Sequence, residues 1–261
     1  MSVEFVSADQ VAHAAACEAP LRLVDTFGRV ARDLRVSLTD RCNLRCSYCM
    51  PPEGLDWLPT EETLTDAEVV RLVRIGVKRL GIRQVRFTGG EPLLRRGLEG
   101  IIAECSQLRT DEGQAPDLAL TTNALGLAKR AQGLRDAGLD RVNISLDSLD
   151  REHYAAITRR DRLGDVLEGI EAAARAGLSP IKVNTLVLRG MNEADLPDLV
   201  DYCLDRGIEL RVIEQMPIGP VDAWNRQNIL TADEILHIMG TRHTLDPAQR
   251  EDPHSPAARS A

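Results

Sequence analysis

Residues 33–50 read DLRVSLTDRCNLRCSYCM. The opening of this stretch alternates, with Leu34, Val36 and Leu38 on one face and Arg35, Ser37 and Thr39 on the other, the period-two pattern of a strand. Stretches 84–88, 117–121, 141–146, 181–187 and 209–213 read as five more strands. Helical patterns lie between and after them, over 66–79, 94–105, 127–137, 165–176, 195–206 and near 232–239. Thr65 and Glu68 form a capping-box pattern ahead of the first helix, and Gly81, Gly138, Gly177 and Gly207 stand where helices should stop.

Strand–helix units in this number predict a parallel sheet, doubly wound or curled into a barrel. Parallel strands buried on both faces read as continuous apolar runs, whereas these alternate. Val85, Phe87, Leu118, Leu120, Val142, Ile144, Leu146, Ile181, Val183, Leu210 and Val212 extend the apolar face begun by Leu34. Gln84, Arg86, Thr88, Thr121, Asn123, Asn143, Ser145, Asp147, Lys182, Asn184, Glu209 and Arg211 make the other face. With helices covering the apolar side, the polar side lines a solvated or ligand-filled interior, because an unpaired buried polar group costs about 1–3 kcal/mol. A closed eight-strand barrel fills itself with branched apolar side chains, so the expectation is an α/β fold of wider design: an open, partial (β/α)6 TIM-like barrel of parallel strands with outer helices.

Four cations, Arg35, Arg86, Lys182 and Arg211, share that lumen in a chain of net charge −8. They either pair with strand carboxylates such as Glu209 or Asp147, or together bind a polyanion. Arginine suits bidentate phosphate recognition, so a phosphorylated substrate is expected. The acidic balance argues against nucleic acid or an acidic membrane as the main partner. The N-terminus carries no basic leader and no eighteen apolar residues run together, so a cytoplasmic protein without a membrane span is expected.

Cys42, Cys46 and Cys49 fall within eight positions and are half of the six cysteines. Cys17, Cys105 and Cys203 are scattered and read as unpaired thiols. Three thiolates can hold three irons of a [4Fe–4S] cluster and leave the fourth open to a ligand from outside the protein. The spacing also permits zinc, but no histidine falls near the loop to complete it. TGGEP, Thr88 to Pro92, follows the second strand, where Gly89 and Gly90 let backbone approach a ligand and Glu91 can accept from an ammonium. NISLDS, Asn143 to Ser148, either turns Ser145 and Asp147 toward the lumen for a ligand or simply ends a strand before a helix cap at Ser148 or Asp150.

The C-x3-C-x2-C spacing after a first strand resembles the radical S-adenosylmethionine superfamily. The blocks RDLRVSLTDRCNLRCSYCMP, VRFTGGEPLLRR, LTTNALGLAKRAQGLRDAGLDRVNISLDSLD, IKVNTLVLRGMN and ELRVIEQMPIG resemble the GTP 3′,8-cyclase family of molybdenum cofactor biosynthesis, over residues 27–252. The resemblance implies that Cys42, Cys46 and Cys49 hold the cluster that cleaves S-adenosylmethionine. Tyr48, Gly90, Ser145 and Met216 would contact that cofactor, with Gly89 and Glu91 in the motif for its amino group. Arg35, Arg86, Thr121, Lys182 and Arg211 would hold GTP. The reaction implied is removal of a ribose hydrogen, attack on C8 of guanine, and formation of (8S)-3′,8-cyclo-7,8-dihydroguanosine 5′-triphosphate. A reductant such as flavodoxin or ferredoxin and a homodimer are implied as well.

Two departures modify these expectations. Gln84 stands where the family often has a lysine. Family members also carry a second three-cysteine set in a C-terminal segment, and no cysteine follows Cys203 here, so one cluster is expected and the second is not supported by this chain. Residues 1–25 read as a mobile extension, 26–240 as the barrel and 241–261 as a disordered Pro/Ala-rich tail. An inactive or partner-dependent homologue that binds cluster and nucleotide, and a radical enzyme acting on another phosphorylated substrate, stay open as alternatives.

Overall fold

The computed structural model describes residues 21–216 and 229–246. The expectations for residues 1–20 and 247–261 lie outside the described residues. Six strands cross one sheet in chain order: β1 (Asp33–Ser37), β2 (Gln84–Thr88), β3 (Asp117–Thr122), β4 (Arg141–Ser145), β5 (Ile181–Leu186) and β6 (Glu209–Ile213). Each pairs with the next in parallel, and β1 and β6 are the two edges, so the barrel is partial and open. The helices that return the chain are α1 (Asp66–Arg79), α2 (Leu98–Ser106), α3 (Leu127–Asp136), α4 (Arg151–Thr158), α5 (Leu163–Arg175) and α6 (Leu196–Asp205), with α7 (Ala232–Gly240) after β6.

Local chemistry sets these boundaries. Thr65 and Glu68 exchange side-chain and backbone hydrogen bonds at the start of α1, the expected capping box, and Thr231 and Glu234 do the same for α7. All four glycines expected to stop helices have positive φ. The apolar strand face is buried at Val85, Phe87, Leu118, Leu120, Val142, Ile144 and Val183. Each such side chain contributes about 1.5–3 kcal/mol relative to exposure. On the edge strands Leu34, Val36, Leu210 and Val212 are only half-buried, having a neighbour on one side.

Two helices differ from the sequence reading. The second helix was expected from residue 94 but starts at Leu98, because Pro92–Leu94 forms a 3-10 turn capped by the Glu91 carboxylate. Arg95 is drawn out of the helix to donate to the backbone oxygens of Leu38 and Leu64, both at 2.7 Å. Helix α4 shows in the sequence only as a cap at Ser148 or Asp150. Asp150 is that cap, accepting from the N–H groups of Glu152 and His153, and a helix of 8 residues follows it. Ahead of β1, an antiparallel bridge joins Val24 to Val30 and straddles the boundary placed at residue 25. No helix among the described residues is long and apolar enough to cross a membrane.

Candidate active site

Strand register sorts the lumen into rows. Arg35, Arg86, Ala119 and Arg141 are successive partners across β1 to β4. Thr121, Asn143, Lys182 and Glu209 form the next row, and Ser145, Asn184 and Arg211 the row nearest the strand ends. The register thus brings the expected cations into one wall and adds Arg141, which the sequence reading left out. The signal was there: Arg141 lies two residues before Asn143 and four before Ser145, on the same face.

Arg86, Arg141, Lys182 and Arg211 are held by carboxylates. Arg86 meets Asp33 at 2.7 Å and Arg141 meets Asp117 at 2.8 Å. Lys182 and Arg211 share Glu209, at 2.7 and 2.8 Å. Pairing with strand carboxylates therefore holds for Glu209, but among the described residues Asp147 takes no cation. Burial pushes Glu209 up, but the hydrogen bonds from Lys182 and Arg211 outweigh it and hold its carboxyl below the usual range. The Arg86 guanidinium is pulled below its usual range, first by burial and then by Arg141, Arg35 and Arg211, with Asp33 opposing. Among the described residues its Nε is buried without a partner, as is Oδ1 of Asn143. Thr121 accepts from Asn143 Nδ2 at 3.3 Å. A wall with surplus positive charge and an unfilled guanidinium donor is one that an anion completes.

The cysteine loop leaves the end of β1 and rests on α4. Arg45 N–H donates to Thr158 O at 3.1 Å and Ser47 N–H to Ile157 O at 2.8 Å, so the last carbonyls of α4 find partners in the loop. Arg159, in left-handed conformation after that helix, donates to the backbone oxygens of Arg45 and Met50. Cys49 and Met50 N–H groups turn back onto Cys46 O, at 2.9 and 3.1 Å. Cys42 and Cys46 are half-buried and Cys49 is exposed. Burial raises all three thiols, Cys46 to about 12, with Asp147 adding to it. No three His, Cys, Asp or Glu side chains among the described residues converge on a single ion. Three thiols spread over eight positions of loop, with no fourth protein donor beside them among the described residues, fit the corners of a polynuclear iron–sulfur cluster better than a tetrahedral zinc.

The TGGEP turn sits against this loop at the closest backbone approach in the site. Gly90 N–H donates to Thr39 O at 2.6 Å and Glu91 N–H to Arg41 O at 2.7 Å. A Cβ on Gly89, at φ +152°, would lie 2.4 Å from Thr39 O. The Glu91 side chain does not stand open toward a ligand ammonium: it is 1% exposed and accepts from Thr122 Oγ1 and Asn123 N–H, both at 2.7 Å, and from Leu93 N–H at 2.9 Å. Burial raises its pKa against those donors. Its observed work is to tie the end of β2 to the end of β3.

Tyr48, expected at the cofactor, and Asp147, expected to face the lumen, are joined directly. The Tyr48 hydroxyl donates to Asp147 Oδ2 at 2.8 Å, and Asp147 Oδ1 accepts from Leu186 N–H at 2.9 Å. Burial pushes the Asp147 carboxyl up to about 6. Ser145 closes β4 half-buried in the lumen, while Met216 lies past β6 with 56% of its surface exposed. Asn123, read as a lumen residue without a role, is buried beside Cys42.

A parallel strand–helix wall with a three-thiol loop behind its first strand defines a radical S-adenosylmethionine protein. The Radical SAM superfamily model matches residues 36–203, and the chain belongs to that superfamily. Among curated proteins it is similar to the GTP 3′,8-cyclase of Corynebacterium glutamicum, 62% identical over 236 residues, 90% of this chain and 63% of that protein. A GTP 3′,8-cyclase of Mycobacterium sp. strain KMS is 56% identical over 235 residues, 90% of this chain and 66% of that one. The chain therefore spans a little under two thirds of these relatives. Two solved structures share the fold: Streptococcus suis SuiB bound to precursor peptide SuiA (TM-score 0.57, 19% identity, 71% of this chain and 40% of that one). The other is TYW1 with a lysine-pyruvate adduct (TM-score 0.55, 16% identity, 84% and 76%).

Proposed function

We propose that this chain is the barrel of a GTP 3′,8-cyclase, catalysing the radical conversion of GTP to (8S)-3′,8-cyclo-7,8-dihydroguanosine 5′-triphosphate in molybdenum cofactor biosynthesis. The observation that carries the reading is the cationic row Arg35, Arg86 and Arg141 in the same lumen whose strand ends bear the three-cysteine loop. Cys42, Cys46 and Cys49 would hold one [4Fe–4S] cluster, and Tyr48, the Gly89–Glu91 turn, Ser145 and Met216 would surround S-adenosylmethionine. When bound, these groups supply one-electron reductive cleavage of the sulfonium and the hydrogen-abstracting chemistry that follows.

The chain's own residues fix the substrate. Arg86, Lys182 and Arg211 release their carboxylates to grip the triphosphate together with Arg35, and Thr121 adds a hydroxyl. Position matters because a reacting atom displaced by about 1 Å can cost on the order of 100-fold in rate. A low-potential donor such as flavodoxin or ferredoxin would reduce the cluster, and the family resemblance favours a homodimer in the cytoplasm.

Because the chain spans 63% of the C. glutamicum relative, binding is a more direct test than turnover. After anaerobic reconstitution, about four irons per chain are expected, with GTP binding by calorimetry that weakens about 10–100-fold in Arg86→Ala, the worth of a charged hydrogen bond. Zinc in place of iron, or GTP affinity equal in Arg86→Ala, would refute the reading. A triphosphate bound equally well whatever its base would favour another phosphorylated substrate.

A further inference from the structure

We infer that Asn123 is a positioning residue that tunes the iron–sulfur cluster, its carboxamide donating an N–H to the sulfur of Cys42. The inference rests on the reading that Cys42, Cys46 and Cys49 hold that cluster. Asn123 follows β3 immediately and is 8% exposed. Its Nδ2 donates to Asn43 Oδ1 at 2.7 Å and lies 3.9 Å from Cys42 Sγ. Its Oδ1 accepts from Leu125 N–H at 3.0 Å.

These contacts orient the amide. A carboxamide nitrogen has two hydrogens; Asn43 takes one, which leaves the other for the sulfur 3.9 Å away. Flipping the group would set oxygen against Asn43 Oδ1 and leave Leu125 N–H opposite a donor. A latch between two loops needs only the Asn43 bond, so the second N–H is surplus to it.

The backbone around Asn123 is held to the same end. Its N–H donates to Glu91 Oε2 at 2.7 Å, and Ala124 N–H donates to Thr122 Oγ1 at 2.9 Å. Ala124 is fully buried at φ +63°, a left-handed conformation that a residue with a Cβ adopts at a cost of about 1 kcal/mol or more. The carboxylate of Glu91, closed to solvent, is thus the anchor that holds the strained turn, and the turn aims the amide. A hydrogen bond to a ligand sulfur stabilises the more negative, reduced cluster and raises its reduction potential.

The test is an EPR-monitored, dithionite-poised redox titration of the anaerobically reconstituted full chain, compared with Asn123→Ala and with Asn123→Asp. The aspartate keeps the shape and the acceptor for Leu125 but has no N–H. Iron content and melting temperature are measured alongside. We expect near-wild-type iron and, in Asn123→Ala, a potential more negative by the equivalent of about tenfold in the reduction equilibrium, about 59 mV for a one-electron couple. Asn123→Asp, which adds charge, should move further in the same direction. Equal potentials at equal iron content would overturn the inference alone. Loss of iron from both folded variants would make Asn123 a loop-assembly residue and also overturn it. No iron uptake by the wild-type chain would remove both the inference and the reading it rests on.

Discussion

At Gly90 an added Cβ would stand 2.3 Å from the carbonyl oxygens of both Asp40 and Arg41, against backbone that has no room to retreat. Gly90→Ala should cost about 3 kcal/mol in chemical denaturation, at the upper end for overpacking; a loss under about 1 kcal/mol would show that the loop yields. Tyr48 and Asp147 make a pH-dependent pair. Burial raises the folded-state pKa of Asp147 to about 6 from an unfolded value near 3.8, so the folded chain holds its proton longer. Stability tied to this group is therefore greatest below about pH 4 and falls as pH rises toward 6. Tyr48→Phe removes one donor from the carboxylate, and its cost, about 1–3 kcal/mol, should be larger above pH 6 than near pH 4, where a neutral carboxyl accepts more weakly. Denaturation midpoints of variant and wild type across pH 4–8 would check this, parallel curves counting against it.

Among the elements, α3 and α5 pack against one another beneath the β3 turn. Gly169 on α5 is the tight point, since a Cβ there would lie 2.9 Å from Ala124 O and 3.1 Å from its Cβ. Gly169→Ala should destabilise by about 1–3 kcal/mol despite its better helix propensity; a melting temperature at or above wild type would contradict this. Helices α4 and α6 are joined through Asp195, which accepts from Ser148 Oγ at 2.5 Å and lies 2.8 Å from His153 Nδ1. The hydrogen bond and charge of Asp195 raise the His153 pKa. Its stabilisation is complete below the unfolded value of about 6.5 and is lost as pH rises through the folded one. His153→Gln should narrow the fall in melting temperature between pH 6 and 8. What the sequence disclosed at this scale followed from local pattern. β2 and β6 begin and end where alternation placed them, and α1 where its capping box did. The late start of α2 was hidden because Arg95 answers to Leu38, 57 residues away. Asp150 was legible as a cap, but α4 spans only 8 residues and its role lies in the loop it supports. The lumen cations were legible by parity; that Glu91 would turn inward was not, because its partners sit 31 and 32 residues on.

At the scale of the whole molecule, a chain of net charge −8 turns a cationic wall inward. At the proposed GTP site, salt should weaken binding less than it would for an exposed site, because the lumen pairs are partly withdrawn from solvent. The register adds a dimension to that wall. From Arg141 to Ser145 is four residues of strand, about 13 Å at the usual rise. The lumen is consequently a depth gauge as well as a charged surface. A ligand whose anionic end reaches the arginine floor presents its far end at a height fixed by its own length, and the thiol loop is mounted at one height only. For the GTP site proposed above, selection among guanine nucleotides would then be a matter of stature: successive removal of phosphates from GTP would shorten the molecule below the height at which its sugar meets the rim.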